Sequence, residues 1–261
     1  MSKTVFFDID GTIWDDDMVI PESTLEAVAA LKANGHLAFI CTGRARASVR
    51  SEKLLNMSFD GIIAACGNYI EMDGKVIYEN DLSADMVQKV IRVLSECKMP
   101  VVLEGSTDYW IDDEGFENDP YVDYLFESLG EHAHIIRGYD GEIRINKFSA
   151  DVIDGTDYER VKAEFADDFL ILEHVENVVE FVPKGTSKAT GIKWLCNHLD
   201  IPLDETYAIG DSVNDLEMLE SVGHGIAMGN SMPPAKEIAE YVTSDISDDG
   251  VKNALKHYGL I

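Results

Sequence analysis

The chain has 261 residues, 46% of them apolar, which is enough for one large domain or two modest ones with a hydrophobic core. Its 49 acidic and 21 basic residues give a formal net charge of −28, so nucleic acids and anionic membranes are not expected partners. No apolar run reaches the roughly 18 residues of a membrane span. The apolar stretch before Asp8 is too short for a signal peptide, and the four cysteines lack CxxC spacing. We therefore expect a soluble cytoplasmic protein with reduced thiols.

Apolar runs alternate with helical periodicity in the first 65 residues and again after residue 184, which predicts a parallel α/β sheet. The predicted strands are 4–7, 36–42, 60–65 and 206–210. The predicted helices are 23–34, 45–55 and 186–199. Ser23 and Glu26 have capping-box spacing, which predicts a helix start at Ser23, and Gly35 is a stop signal. The alternation continues through 215–222, 224–228, 233–242 and 250–259.

The middle of the chain has a different pattern. Strand-like runs joined by short turns are interspersed with helical stretches, a pattern typical of antiparallel pairing. We interpret residues 81–183 as an α+β domain inserted into a core formed by residues 1–80 and 184–261.

Two aspartates follow the first apolar strand. Asp8 and Asp10 are two positions apart, so in an extended segment their side chains point the same way. Gly11 permits a sharp turn, and Thr12 adds a hydroxyl. Because ligands bind at the carboxyl ends of parallel strands, a catalytic or metal-binding pair is one interpretation. Aspartates that only begin a turn are the other.

Two later segments suit a phosphate group. Thr42 and Gly43, in CTGR, offer a hydroxyl and backbone N–H groups at a strand end, although a helix cap at Thr42 is an equal alternative. Arg44 either assists there or is solvated. Lys188 falls in the first turn of a predicted helix, where the helix dipole disfavours a cation. A functional lysine and a solvated one both remain open.

The segment GDSVND carries the clearest signal of the later part of the chain. Asp211 ends a strand, and Asn214 and Asp215 begin the next helix. Acids at a helix start are ordinary caps. Two acids and an asparagine this close to a strand end more often bind a hard cation through oxygen ligands.

These motifs lie at the ends of elements of one sheet. DIDGT, CTGR, Lys188 and GDSVND, in this order, resemble the haloacid dehalogenase superfamily of phosphatases. The long insertion looks like the type II (IIB) cap of its Cof-like, sugar-phosphatase subgroup. The resemblance covers 1–80 and 184–261 closely and the cap only in placement and length. It implies an α/β fold with a Rossmann-like parallel-sheet core and an inserted α+β cap domain.

The resemblance also implies roles for the aspartates. Asp8 would be the nucleophile that forms an aspartyl-phosphate, and Asp10 the general acid and then the general base. Mg²⁺ would be bound by the Asp8 carboxylate, the Asp10 backbone carbonyl and Asp211. Asp215 and Thr12 would orient the metal ligands without being ligands themselves.

Phosphate binding is implied for four other residues. Thr42, the N–H of Gly43, Lys188 and Asn214 would hold the phosphoryl oxygens.

The implied substrate is a small phosphorylated metabolite, for example a sugar phosphate, and the implied activity is hydrolysis by a Mg²⁺-dependent phosphatase. Asn68 and Arg44 are weak candidates for substrate contact. Arg144 and Lys147 of the cap either meet a second anionic group or only pair with neighbouring acids. A phosphomutase that transfers phosphate between sugar positions is the alternative within the family, and a non-catalytic metal- and anion-binding regulator is an alternative outside it. Monomer and dimer both remain open.

Overall fold

The chain forms two compact units in a computed structural model, which describes residues 2–117, 119–174 and 177–261. The first unit consists of Met1–Gly43, Ser51–Tyr78 and Ser187–Ile261, and the second of Arg44–Arg50 and Glu79–Thr186. The sequence-based domain bounds at 80/81 and 183/184 stay a prediction. They differ from this division chiefly in the segment Arg44–Arg50, which packs with the second unit.

The strands of the described residues, in chain order, are β1 (Thr4–Phe7), β2 (Leu37–Cys41), β3 (Gly61–Ala64), β4 (Tyr69–Met72), β5 (Lys75–Glu79), β6 (Val101–Glu104), β7 (Tyr109–Ile111), β8 (Ala133–Ile135), β9 (Lys147–Asp151), β10 (Phe169–Glu173), β11 (Val178–Pro183), β12 (Thr206–Gly210), β13 (His224–Ala227) and β14 (Tyr241–Val242). The helices are α1 (Glu22–Ala33), α2 (Glu52–Leu55), α3 (Ala84–Glu96), α4 (Pro120–Leu129), α5 (Tyr158–Phe165), α6 (Lys188–His198), α7 (Leu216–Ser221), α8 (Pro233–Ile238) and α9 (Gly250–His257).

The first unit is built on a sheet with the strand order β14-β13-β12-β1-β2-β3-β4-β5. Pairing is parallel from β14 to β3 and antiparallel between β3 and β4. Every residue of β1 is buried, as expected for a central strand of a parallel sheet covered on both faces. Phe7 pairs with Ile40 of β2 and with Ile209 of β12. The residues that follow these three strands therefore leave the sheet at the same edge.

The second unit contains a sheet with the strand order β10-β11-β9-β6-β7-β8, antiparallel except between β7 and β8. Helices α3 and α5 bury apolar side chains in its core, where the rings of Phe148 and Phe181 stack at 4.5 Å. The α/β fold class, with a parallel-sheet core and an inserted α+β unit, is thus confirmed.

The predicted cap of the first helix, Ser23, is wrong by two residues. Helix α1 begins at Glu22, and the carbonyl oxygen of Pro21 accepts the first backbone bonds, from Thr24 and Leu25. Ser23 therefore lies inside the helix, where its buried hydroxyl has no described hydrogen-bond partner. The capping-box spacing indicates a cap two positions too late because the observed cap, Pro21, has no side-chain oxygen that the sequence pattern could reveal.

The predicted helix at 45–55 is also wrong. The structure has a 3₁₀ turn at Arg46–Ser48 and then the short helix α2, capped by the Ser51 hydroxyl. The N–H of Ala47 donates to the carbonyl oxygen of Gly105, so this segment is fixed by tertiary contacts within the second unit. Helical periodicity over these residues therefore does not produce a continuous helix.

Across the described residues, the helices are too short or too polar for any of them to be a membrane span.

Candidate active site

Lys188 connects three of the residues singled out in the sequence. Its ammonium group donates to Oδ1 of Asp8 at 2.6 Å, to Oδ1 of Asp215 at 2.7 Å and to Oδ1 of Asn214 at 3.2 Å. Asp8 directly follows β1, and Asp215 precedes α7. The lysine therefore connects the loop after β1 with the turn before α7. A lysine 1% exposed is not the solvated side chain that the sequence left open.

The start of α6 places Lys188 in the site. Ser187 is the helix cap, and its side chain and that of Thr190 form a reciprocal capping box. Lys188 is thus the first helical residue, where the helix dipole disfavours a cation. Its three oxygen acceptors offset that cost, and they explain why a lysine is stable in this buried position.

The electrostatics of Asp8 and Lys188 are coupled. Burial raises the pKa of Asp8 well above its usual range, and the charge of Asp215 raises it further, against the opposing effect of Lys188. Burial lowers the pKa of Lys188, but Asp215 and Asp8 outweigh it and raise that pKa above its usual range. The buried lysine is therefore charged, and Asp8 lies in a site with more negative than positive charge.

Asp215 has a structural contact on each carboxylate oxygen. Oδ1 faces Lys188, while Oδ2 accepts the N–H groups of Asp211 and Ser212 at 2.9 and 3.0 Å. A Cβ on Gly210 would lie 2.5 Å from the Asp215 carboxyl carbon, so glycine is needed there. Asp215 therefore fixes the turn after β12 in addition to holding Lys188, and helix capping accounts for only one of its two contacts.

Asp211 lies close to the turn after β1. Its Oδ1 accepts a bond from the Thr12 hydroxyl at 3.3 Å, and a Cβ on Gly11 would lie 2.5 Å from its Oδ2. Gly11 also has φ of +75°, so the turn needs glycine for two reasons. Burial and the charge of Asp215 raise the pKa of Asp211 to about 7.

Carboxylate oxygens of Asp8, Asp211 and Asp215 all lie within 4.8 Å of one another. Hard divalent cations prefer such oxygen donors. Burial first, and then the charge of Asp215, raises the pKa of Asp8 and that of Asp211, and a bound cation would stabilise their ionised forms. The residues fit a divalent metal ion, and this group of side chains differs from the predicted ligand set by including Asp215 and not Asp10, whose predicted contribution is a backbone carbonyl.

Asp10 is exposed, unlike Asp8. Its Oδ1 accepts a hydrogen bond from Nε1 of Trp14 at 2.8 Å. The negative charge of Asp10 raises the pKa values of both Asp8 and Asp211, which places it in the same electrostatic environment. No motif of the sequence indicates a role for Trp14, and only its distance of four residues from Asp10 suggests the contact.

Thr42 and Gly43 follow β2 at the same sheet edge. The backbone N–H of Thr42 donates to Ile63, and its carbonyl oxygen accepts from the N–H of Cys66. A Cβ on Gly43 would lie 3.5 Å from Nδ2 of Asn214, so this loop adjoins the group around Lys188. No described helix begins at Thr42, which excludes the helix-cap alternative.

The weaker candidates have other contacts in the structure. Asn68 is buried, and its Nδ2 donates to the carbonyl oxygen of Ala65. Arg44 belongs to the second unit. In the same unit, Arg144 pairs with Asp81, and Lys147 is buried between Glu104 and Glu180. For Arg144 and Lys147 the alternative of pairing with neighbouring acids is the one observed.

A model of the haloacid dehalogenase-like hydrolase family matches residues 5–255. The chain belongs to this family. The order of motifs and the parallel core of this hydrolase agree with that membership.

Three similar proteins narrow the class of this hydrolase. The phosphatase candidate YkrA of Bacillus subtilis is 34% identical over 277 residues, covering 100% of this chain and 99% of that protein. The B. subtilis 5-amino-6-(5-phospho-D-ribitylamino)uracil phosphatase YitU is 29% identical over 274 residues, covering 97% and 96%. A solved HAD subclass IIB sugar phosphatase is 26% identical with a TM-score of 0.80, and the match covers 100% of each chain. The assignment to a hydrolase of the phosphatase class, with the Cof-like and IIB resemblance, is confirmed.

Proposed function

We propose that this hydrolase is a Mg²⁺-dependent phosphatase that cleaves small phosphomonoesters through an aspartyl-phosphate on Asp8. The observation that carries the proposal is the contact of Asp8 and Asp215 with one buried, charged lysine, Lys188, beside the carboxylate of Asp211. A nucleophilic carboxylate, a fixed cation and an oxygen-rich metal site are the groups that phosphoryl transfer requires.

The charges of the site explain why a divalent cation is needed. Asp8, Asp10, Asp211 and Asp215 supply four negative charges when ionised, against the single positive charge of Lys188. A phosphate dianion would be repelled by this excess. When bound, Mg²⁺ would neutralise two of these charges and polarise the phosphoryl oxygens. The carboxylates of Asp8 and Asp211 are the proposed side-chain ligands, and an oxygen of Asp215 lies within 4.8 Å of both.

The first chemical step uses two aspartates of the turn after β1. A carboxylate oxygen of Asp8 attacks phosphorus, and the bond from phosphorus to the ester oxygen breaks. Asp10 gives its proton to the leaving alkoxide, so that an alcohol departs. Lys188 and Asn214 lie beside Asp8 and would hold the phosphoryl oxygens during this step.

In the second step the same residues act in reverse. Asp10, now ionised, takes a proton from water, and the water oxygen attacks phosphorus. The bond from Asp8 to phosphorus breaks, which releases phosphate and regenerates the free carboxylate. The position of Asp10, exposed but close enough to affect the pKa of Asp8, suits a group that meets both an alcohol and water.

Two relatives support a small-metabolite substrate: one is named as a sugar phosphatase and the other as a phosphatase of a phosphorylated ribityl compound. We propose a sugar phosphate or a similar metabolite as the substrate class. Thr42 and the N–H of Gly43 are proposed to bind its phosphate, and the cytoplasmic location stays a prediction from composition.

A phosphate-release screen of phosphorylated metabolites with Mg²⁺ tests the function. The expected result is release from several small monoesters by the native chain and loss of release by Asp8→Asn. Label that stays on Asp8 after an acid quench, or that borohydride reduction introduces there, would identify the intermediate. Undiminished release by the Asp8→Asn variant would overturn the proposed mechanism.

A further inference from the structure

Trp14 is placed to act on Asp10. Its indole Nε1 donates to Oδ1 of Asp10 at 2.8 Å. The ring itself is 3% exposed, whereas Asp10 is exposed. A buried donor thus holds one oxygen of the carboxyl group of an exposed residue.

The backbone fixes the donor relative to the acceptor. The N–H of Gly11 donates to the carbonyl oxygen of Trp14 at 2.9 Å, and the N–H of Trp14 donates to the carbonyl oxygen of Ile9 at 3.1 Å. Asp10 and Trp14 also form an isolated β-bridge. The loop after β1 therefore folds back on itself so that residue 14 lies opposite residue 10.

We propose that Trp14 is a positioning residue that orients the carboxyl group of Asp10 for proton transfer. This inference rests on the proposed function. The indole N–H engages Oδ1 as an acceptor, and the proton given to the leaving alkoxide and later taken from water moves through Oδ2. An indole has only two side-chain torsions, so it fixes the carboxyl at little entropic cost.

Positioning of Asp10 by Trp14 makes the rate depend on the leaving group, which a purely structural role of Trp14 would not. Alkyl phosphates have poor leaving groups and need a well-placed acid, whereas 4-nitrophenyl phosphate has a good leaving group and needs little protonation. A misplaced Asp10 should therefore slow the first kind of substrate selectively. General acid–base catalysis contributes about 100- to 10,000-fold to rates. A misplaced acid should lose only part of this contribution.

The test is the Trp14→Phe variant, which keeps an aromatic ring and removes the N–H donor. We expect kcat/KM to fall about 10- to 100-fold for alkyl phosphates and less than about 3-fold for 4-nitrophenyl phosphate. kcat/KM is the suitable quantity because it reports the steps up to release of the leaving group. A series of substituted phenyl phosphates should show a steeper dependence on leaving-group acidity than in the native chain.

Trp110→Phe is the matched control. Trp110 is likewise 3% exposed, but it lies in the second unit and its Nε1 has no acceptor among the described residues. The substitution makes the same chemical change without removing a hydrogen bond, and the leaving-group dependence should stay that of the native chain. An equal fall on all substrates with Trp14→Phe, or no change, would overturn the proposal.

A double-mutant cycle separates positioning from folding. If Trp14 acts through Asp10, adding Trp14→Phe to Asp10→Asn should leave the residual turnover of 4-nitrophenyl phosphate unchanged within about 2-fold. A further loss of turnover in the double variant would show that Trp14 acts elsewhere. Absence of phosphate release by the native chain would refute the proposed function instead, so the two failures are distinguishable.

Discussion

Gly67 lies directly against Ser187, the residue that caps α6. A Cβ on Gly67 would lie 2.3 Å from the carbonyl oxygen of Ser187 and 3.0 Å from the backbone nitrogen of Gly191. Gly191 faces it in turn, because a Cβ there would lie 2.9 Å from Cα of Gly67. The loop that carries Gly67 thus sets the position of the helix that begins with Lys188.

Gly67→Ala should lower both stability and activity. The new methyl group must displace the backbone of Ser187, and this displacement moves the first turn of α6 and with it the ammonium group of Lys188. We expect a loss of about 2–4 kcal/mol in the free energy of unfolding, since overpacking and backbone strain both contribute. Urea denaturation and phosphate-release kinetics measure the two effects.

Gly35→Ala is the control for backbone strain. Gly35 has φ of +80°, close to the +86° of Gly67, but a Cβ there meets nothing within 4 Å. It should cost only about 1 kcal/mol, from the left-handed conformation, and leave turnover unchanged. Equal effects of the two substitutions would show that contact with Ser187 is unimportant.

Lys188→Met should destabilise the first unit in a way that a divalent cation partly reverses. The substitution leaves Asp8 and Asp215 buried without their counter-charge, which costs about 3–5 kcal/mol. Millimolar Mg²⁺ should restore part of this loss, because carboxylate oxygens of both residues belong to the group of three aspartates that fits a divalent cation. Denaturation curves with and without Mg²⁺ measure the difference.

Lys147→Met provides the comparison for a buried lysine that pairs with glutamates instead of with these aspartates. Lys147 is 5% exposed and pairs with Glu104 at 2.8 Å and with Glu180 at 3.0 Å, all in the second unit. Its loss should also destabilise the chain, but Mg²⁺ should give no more recovery than it gives the native chain. Similar recovery by both variants would contradict a cation site at the aspartates.

Asp151→Asn should stabilise the chain at high pH and not at low pH. Burial and the charge of Asp119 raise the pKa of Asp151 to about 6. The folded state therefore binds this proton more tightly than the unfolded state, and ionisation costs stability as pH rises from about 4 to about 6. Because the carboxyl is only partly buried, we expect a gain of about 1 kcal/mol at pH 8.

The prediction for Asp151 is tested by the pH dependence of the free energy of unfolding. The difference between the native chain and Asp151→Asn in free energy of unfolding should grow between pH 4 and pH 6.5 and then stay constant. A difference that is the same at pH 4 and pH 8 would show that its cause is not ionisation. Urea titrations at four pH values suffice.

Removal of divalent cations should abolish phosphate release rather than slow it. The uncompensated carboxylates would repel the substrate phosphate, and Mg²⁺ added after chelation should restore the rate. Asp211→Asn should weaken Mg²⁺ activation by about 10-fold or more, since a ligand is lost. Glu217→Gln, an exposed acid on α7, should leave activation unchanged. Full activity after thorough chelation would contradict the prediction.

The parallel core could be predicted because its strands are buried on both faces and are therefore nearly all apolar. The runs around β1, β2 and β12 show this pattern directly. The prediction of a helix at 45–55 is wrong, and this segment includes a contact remote in sequence, the bond from Ala47 to Gly105. Local periodicity carries no information about such a partner.

The composition of the candidate site could be predicted from motifs, but its contacts could not. Lys188 was proposed from order and spacing, whereas its full burial between Asp8 and Asp215 is visible only in the fold. The bond from Trp14 to Asp10 was missed because four residues of turn can place an indole in many directions. Hydrogen bonds within irregular loops are set by backbone angles that no side-chain pattern specifies.

The pairing of β1 with β12 determines how late in synthesis the site can form. Thr4 pairs with Thr206, and the ammonium group that contacts Asp8 lies 180 positions later in the chain. During synthesis, one edge of β1, a strand that is fully buried in the folded chain, lacks its partner until about four-fifths of the chain has left the ribosome. Asp8, the proposed nucleophile, is thus translated almost first and receives its counter-charge late, so an unfinished chain contains this aspartate but cannot assemble the site around it.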